Sequence, residues 1–398
     1  MSPLARFVLP ALAAAGTAFA ASCSVSGTST LQSQGDATAL ASCKTFSGSI
    51  AIATGTTDAI NLPNVQEIDG DFVANNVSLI TSIGADSLST ITGKFILNEI
   101  QVLSTLNFPR LTTVNDIEWN ALPNLQQLTF TSSVTKAGTI NIQNTELGSL
   151  DGINVQSVDT FYIANNRYLS DITLQLGNVS TSLILEANNP SVNVSFPNLI
   201  WAYNMTFRNC SSISVPSLAS LNGSMGFYGN DIQTFAAPNL TDVGGSLSFV
   251  SNTQLTNISL PLLTSLGGGF QIANNTELKI IDGFPKLKTI VGALDFNGNF
   301  TDVQLPSLGD VRGAFNIQSS GDLTKACANF QTLKSSSVIK GSYVCQGSVA
   351  KPGGAGTTPT PTSSGAATSK TGAAGRLDVS SSAVMGVSGI LAAMFGLL

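Results

Sequence analysis

An asparagine returns every 21 to 24 residues through most of this chain, each time just after a short apolar segment. The series is Asn75, Asn98, Asn120, Asn144, Asn165, Asn188, Asn209, Asn230, Asn252, Asn274 and Asn297. A fixed period of about 20–50 residues marks a solenoid, whose single coil cannot bury its own apolar side and must stack on its neighbours. A side-chain amide both donates and accepts hydrogen bonds. Stacked at one corner of successive coils, such amides satisfy one another and the turning backbone. The series therefore predicts a structural ladder.

Two shorter motifs alternate with that corner. An apolar-x-apolar triplet enters it, as in Ile140-Asn141-Ile142, Phe161-Tyr162-Ile163, Leu247-Ser248-Phe249 and Phe270-Gln271-Ile272. A leucine often follows three or four residues on, at Leu79, Leu147, Leu169, Leu255 and Leu278. An apolar-proline pair recurs as Leu62-Pro63, Phe108-Pro109, Leu122-Pro123, Phe196-Pro197, Leu260-Pro261 and Phe284-Pro285. Proline has no N–H for a ladder, so it belongs at a turn that opens a strand. Gly-Gly and Asp-Gly pairs such as Gly244-Gly245 and Asp282-Gly283 supply the return turns. Helical periodicity is almost absent. The pattern predicts a mainly β, parallel solenoid of about a dozen coils over residues 21–346, stacked ~4.8 Å apart. Its ends, 21–49 and 320–346, need caps, and the less regular stretch 129–138 is the place for a break. The segment Asp322–Leu333 is the best helix candidate, lying across the last coil.

Composition narrows function. Only 10% of residues are charged and the net charge is −6, which excludes the basic patches of a nucleic-acid partner. Histidine is absent, which removes Ser-His-Asp and Cys-His catalysis and His-based zinc sites. An enzyme would have to rely on carboxylates. Asp69, Asp151 and Asp282 sit in Asp-Gly turns, while Asp171, Asp242 and Asp302 are spread over distant coils. No paired acid and base emerges, so no catalytic residue, metal ligand or cofactor site is assigned. Sugar-stacking aromatics are available in Trp119, Tyr162, Trp201, Tyr203 and Tyr228, without a locus.

Both ends read as addresses. Residues 1–20 carry one early cation, Arg6, then an apolar run and a small-x-small ending at Ala18-Phe19-Ala20, the pattern of a secretory signal peptide. At the other end an apolar tail, 383–398, follows a polar spacer and the small cluster Gly372-Ala373-Ala374. That order is the pattern of glycosylphosphatidylinositol (GPI) attachment, expected at Gly372 with Ala373 and Ala374 as alternatives, and with 373–398 removed. The tail falls short of the roughly 20 residues a membrane span needs. Residues 347–372 are rich in Gly, Ser, Thr and Pro and read as an O-glycosylated stalk.

A secreted context makes disulfides the default. Cys23 and Cys43 flank the segment before the first coil, and Cys327 and Cys345 the segment after the last. Pairing within each end is expected, at about 3 kcal/mol per loop, although spacing alone does not fix connectivity. Cys210 is left over and fits a buried structural thiol beside the ladder corner. Ten Asn-x-Ser/Thr sequons are present. Asn76, Asn178, Asn193, Asn204, Asn222, Asn239, Asn257 and Asn299 are the expected acceptors; Asn209 and Asn274 are set aside because their ladder positions should turn them inward.

The order of these parts resembles the fungal GPI-anchored cell-wall organisation family, whose repeats resemble the receptor L domain. The carrying residues are Cys43-Lys44-Thr45-Phe46-Ser47-Gly48-Ser49-Ile50-Ala51-Ile52, similar to an L-domain opening, and the alternation of apolar triplet, asparagine and apolar-proline. The resemblance implies a right-handed, leucine-rich-repeat-like β-helix on the extracellular face of the plasma membrane, with transfer to the wall as the alternative. It implies a non-enzymatic role in wall organisation and integrity, with wall polysaccharide or wall glycoproteins as partners and the outer leaflet reached through the lipid. A glycan- or protein-binding adhesin is the alternative, and a wall-remodelling glycosidase or transglycosidase comes third. The anchor makes a direct prediction: phosphatidylinositol-specific phospholipase C releases the protein from membranes, and replacing Gly372 together with Ala373 and Ala374 by bulky residues abolishes that releasable pool.

Overall fold

The computed structural model describes residues 22–356 and 360–361. The signal segment 1–20, the attachment residues Gly372, Ala373 and Ala374, and the tail 373–398 lie outside the described residues. The chain winds as a parallel β-solenoid of about 13 turns. Three strand positions recur in a coil, and each stacks on its counterpart in the next coil to form a face.

The first face is built by the apolar triplets. It begins where 28–31 pairs with 49–52, continues through Phe72–Asn75, Thr90–Asn98 and Thr113–Leu122, and ends at Tyr343–Gln346, always parallel. The second face precedes it in each coil, with members such as Glu67–Asp69, Ser220–Leu221, Asp242–Val243 and Asp310–Val311. The third follows the corner, as in Ser82–Gly84, Asp171–Thr173, Asn193–Ser195 and Asn257–Ser259. Between the second and first faces the return turns stack backbone on backbone. A Cβ on Gly268 would run into Gly245, one on Gly292 into Gly268, and one on Gly313 into Gly292, so glycine is required there by close approach.

Side chains that point inward form one apolar column from Leu31 to Ile339. Aromatic rings run along it: Phe72 meets Phe95 at 5.4 Å, Phe95 meets Trp119 at 5.4 Å, and Phe227 stacks on Phe249 at 4.6 Å. The expected leucines Leu147, Leu169, Leu255 and Leu278 are buried, whereas Leu79 is exposed and Ile80 takes the inward place.

The stretch 129–138 loosens the rod without dividing it. There the second and third faces shrink to isolated bridges, Thr113 with Lys136 and Asn107 with Thr129. The first face runs on, with 116–120 paired directly to 139–143.

The asparagine series resolves into three different rows. Asn75 and Asn98 end first-face strands, and Asn120 and Asn297 hold the same register position near the ends of theirs. Asn144, Asn165, Asn209 and Asn274 occupy the next position, with left-handed backbone at φ 53°, 56°, 56° and 56°. Asn188, Asn230 and Asn252 come one residue later still and point into the core, joined by Asn166 and Asn275. This inner row is the true structural ladder. Asn230 donates its Nδ2 to the Phe207 carbonyl at 3.0 Å and to Asn252 Oδ1 at 2.9 Å. Asn252 repeats the pattern on Phe227 and Asn275, at 3.1 Å each. The Asn230 backbone N–H also donates to Asn252 Oδ1, at 3.0 Å.

Two expectations are corrected by this geometry. Asn209 and Asn274 are exposed, because a left-handed residue turns its own side chain out and delivers the following one, Cys210 or Asn275, inward. Residues 347–356 do not begin a stalk: Val349 is buried, and Val349–Lys351 pairs with Thr360–Pro361 in an antiparallel hairpin.

The caps match their cysteines. Cys23 bonds Cys43 and Cys327 bonds Cys345. The helix Thr324–Ser335 covers the final coil through buried Ala326 and Phe330. A short helix, Gln34–Ala39, covers the first; its capping box joins Ser33 and Asp36. Cys210 is buried and unpaired, with its thiol pushed up to about 12 by burial, and its N–H donates to Asn230 Oδ1 at 2.9 Å.

The inner row should be costly to cut. Asn252→Ala leaves the Phe227 carbonyl and the Asn230 N–H buried without their partner, and is expected to destabilise by about 2–4 kcal/mol. Asn98→Ala, near the surface, is expected to cost no more than about 0.5 kcal/mol. Denaturant midpoints of the two variants would check the contrast; equal midpoints would contradict it.

Candidate binding face

A first-face strand alternates sides, so the residue between two core residues faces out. Those outward residues, with the strand-end residues beside them, make one continuous surface along the rod. It has three sections of different chemistry.

The opening section is a row of amides. Asn98 Nδ2 donates to Asn75 Oδ1 at 2.9 Å, Asn120 Nδ2 to Asn98 Oδ1 at 3.1 Å, and Asn144 Nδ2 to Asn120 Oδ1 at 2.7 Å. Gln143 reaches sideways to Asn141 at 2.7 Å. A groove of about 420 Å³ runs along this row, with Val73, Ile96 and Glu118 on its wall. Lys94 and Glu118 meet at 2.7 Å and cancel each other's charge; that bond and charge hold the Lys94 ammonium above its ordinary value.

The middle section is a relay of rings and charges. Tyr162 donates its hydroxyl to Glu186 Oε1 at 2.6 Å, which with burial raises the phenol to about 12. Glu186 pairs with Arg208 at 3.5 Å, and the Arg208 guanidinium lies 4.5 Å from the centre of the Tyr228 ring. Gly226 leaves room for that ring, which lies where a Cβ would stand.

The last section is already occupied by the chain itself. Asp295 is fully buried, and its Oδ1 accepts from Asn316 Nδ2 at 2.7 Å and from the Ala355 N–H at 3.0 Å. Asn316 Nδ2 also donates to the Gly353 carbonyl at 3.0 Å, and the Gly353 N–H donates to Gln318 Oε1 at 3.1 Å. Gln318 in turn donates to Asn316 at 2.9 Å. Three side chains thus clamp the root of the C-terminal segment across the face. Burial pushes the Asp295 carboxyl above its ordinary range, against the lowering effect of these hydrogen bonds.

The remaining candidate residues are scattered. Trp119 belongs to the core, between Phe95 and Phe130. Trp201 is on the second face, donating to Asn222 Oδ1 at 3.2 Å, and Tyr203 is exposed beyond it. The carboxylates considered for catalysis are taken up locally. Asp171 accepts from Asn193 at 3.0 Å, Asp242 from Ser265 at 2.6 Å, Asp302 from Gln304 at 2.6 Å and Asp69 from Thr92 at 3.1 Å. No group of three or more metal-ligating side chains converges among the described residues.

Apart from Asn204, which shares the column of Lys94, the sequons lie off the first face. Asn178, Asn193, Asn222, Asn239 and Asn257 are exposed on the second and third faces and their turns, and Asn76 is exposed at the corner. Asn204 and Asn299 are half-buried: Asn204 Oδ1 accepts from the Ser224 N–H at 2.8 Å, and Asn299 Nδ2 donates to the Thr276 carbonyl at 2.8 Å. Asn239 Nδ2 is likewise engaged, with the Pro216 carbonyl at 2.9 Å.

A family model described as "GPI-anchored cell wall organization protein" matches residues 4–41, and BspA-type leucine-rich repeats match 48–181 and 187–299 in six copies. Protein ecm33 of Aspergillus fumigatus is 43% identical over 366 residues, covering 90% of either chain. The chain belongs to the Ecm33 family. Within it, the cell surface GPI-anchored protein of Arthroderma benhamiae is 40% identical over 88% of this chain and 89% of its own. The cell wall protein ecm33 of Schizosaccharomyces pombe is 34% identical over 86% and 82%. No solved structure matches. The family expected from the order of the segments is thus found, and with it the leucine-rich-repeat type of coil.

The clamp predicts a pH dependence. A carboxyl whose value is raised by folding binds its proton more tightly in the clamped state, so its contribution is present below the ordinary value, about 3.9, and is lost as pH rises through the raised one. Exchange of the Gly353 and Ala355 amides, corrected for intrinsic rate, should therefore quicken with rising pH in that window. Asp295→Asn should flatten the dependence, and Asp295→Ala should expose both amides at every pH.

Proposed function

We propose that the mature chain is a non-enzymatic, GPI-anchored glycoprotein that organises the fungal cell wall and sustains its integrity. The observation that carries this reading is the 43% identity to Protein ecm33 across nine-tenths of both chains, supported by relatives named for the cell wall and cell surface and not for a reaction. The site chemistry agrees with it. Asp69, Asp151, Asp171, Asp242 and Asp302 are each held by a neighbouring side chain. The protein sits on the outer leaflet through a lipid at Gly372, Ala373 or Ala374, and its partners are wall polysaccharide or wall glycoproteins.

No helix among the described residues is long and apolar enough to cross a membrane. N-glycans extend from the second and third faces and the corner. The exposed Asn178, Asn222 and Asn257 are the strongest acceptors, and Asn209 and Asn274 rejoin the set on their exposure. At Asn239 and Asn299 the nitrogen that would carry the sugar already donates one of its two N–H groups.

Deleting the gene should alter wall sugar composition and sensitise cells to wall-perturbing dyes. Re-expression of the wild-type chain should restore the wall, and so should Asp171→Asn, Asp242→Asn and Asp302→Asn chains. Failure of a carboxylate variant that still reaches the surface would point to chemistry and overturn the non-enzymatic reading.

A further inference from the structure

The fold does not require the row at Asn75, Asn98 and Asn120. In these coils the inward corner position is filled by buried Val77, Ile100 and Leu122, and the outer amides bond to one another, not to the backbone. Further along, the same strand-end position is Ala164, Val250 or Ala273, so the coil closes equally well without an amide there. The corner's structural need is met by the inner row instead, from Asn166 onward.

Glycan placement singles out the same area. Nine of the ten sequons lie at Asn178 or later. Asn76, at the corner, is the one beside the row, and Asn204 falls in the column of Lys94 but several coils further along. The opening section therefore carries a single sequon, at its Asn75 edge, whereas the rest of the rod carries nine. It also carries the groove, and the other end of the face is covered by the chain's own root segment.

We propose that this row is a binding site for a neutral, hydroxyl-rich linear glycan lying along the rod axis. Within the row each bridging amide spends one N–H and one acceptor position on its neighbours, leaving a second of each for a ligand. Hydroxyls both donate and accept, so a polyol answers that pattern where an ion would not. The groups repeat once per coil, ~4.8 Å apart, on the scale of one sugar residue in an extended chain. Half-buried Val73 and Ile96 offer an apolar strip for the C–H faces of the rings. The Lys94–Glu118 pair leaves no net charge to select an ionised polymer. This deepens the wall reading above and rests on it only for the source of the glycan.

Calorimetric titration of the full-length chain in detergent with β-1,3-linked glucose oligomers tests the site. Saturable binding is expected to tighten with oligomer length until the chain spans the four coils from Asn75 to Asn144. Asn98→Ala with Asn120→Ala should weaken it by at least about tenfold, with the denaturation midpoint held, and Asn75→Ala, fully at the surface, should weaken it more modestly. Absence of saturable binding, equal binding by the double variant, or a preference for cationic chitosan oligomers would overturn the proposal. So would saturable capture of a wall protein at this row in place of the glycan. The wall reading is judged separately: a deletion strain with a normal wall removes that role, whereas a chain that rescues the wall without binding oligomers removes only the glycan row.

Discussion

Every coil of this rod must turn its backbone inside a dry interior, and the carbonyl exposed at that turn has to find a donor. At Ile142, Ile163, Phe207, Phe227 and Phe249 the donor is an inward asparagine, and Asn166, Asn230 and Asn252 also bond the asparagine of the next coil. The rest of the structure is arranged around this need. Left-handed corner residues exist to aim the following side chain inward, glycine is placed where return turns touch, and the apolar triplets fill what remains of the core. Cys210 fits the same logic, since a thiol at the inward position still leaves its N–H to Asn230.

The period of the chain was readable because the corner recurs at nearly constant spacing, and the disulfide-bounded caps because four cysteines bracket the repeats. What one sequence could not separate were three adjacent positions that all accept asparagine. Asn209 and Cys210 are neighbours, yet the first side chain meets solvent and the second takes the inward place that asparagine holds in other coils. Spacing of 21 to 24 residues tolerates a slip of one, whereas side-chain direction does not. Asn166 and Asn275 were hidden for the same reason, each beside an asparagine that matched the period better.

Other features were missed for want of a long-range signal. The clamp on Gly353 and Ala355 joins residues 35 to 60 positions apart, and nothing in a Gly-rich segment announces that it will be held. The short helix Gln34–Ala39 did carry a local sign, the Ser33-x-x-Asp36 box, which the β periodicity elsewhere overshadowed. The binding face is a similar case. Its outward residues vary from coil to coil, so only the stacking itself shows that Asn75, Asn98 and Asn120 form one surface.

The clamp also determines how the rod bears load. Tension arriving along the chain from beyond residue 356 meets Asp295, Asn316 and Gln318 before it reaches the terminal strand, and that strand is itself tied by Cys327–Cys345. A pull on the tether is thereby taken sideways by two adjacent coils at once. The end coil, which would otherwise unzip strand by strand, is shielded from peeling.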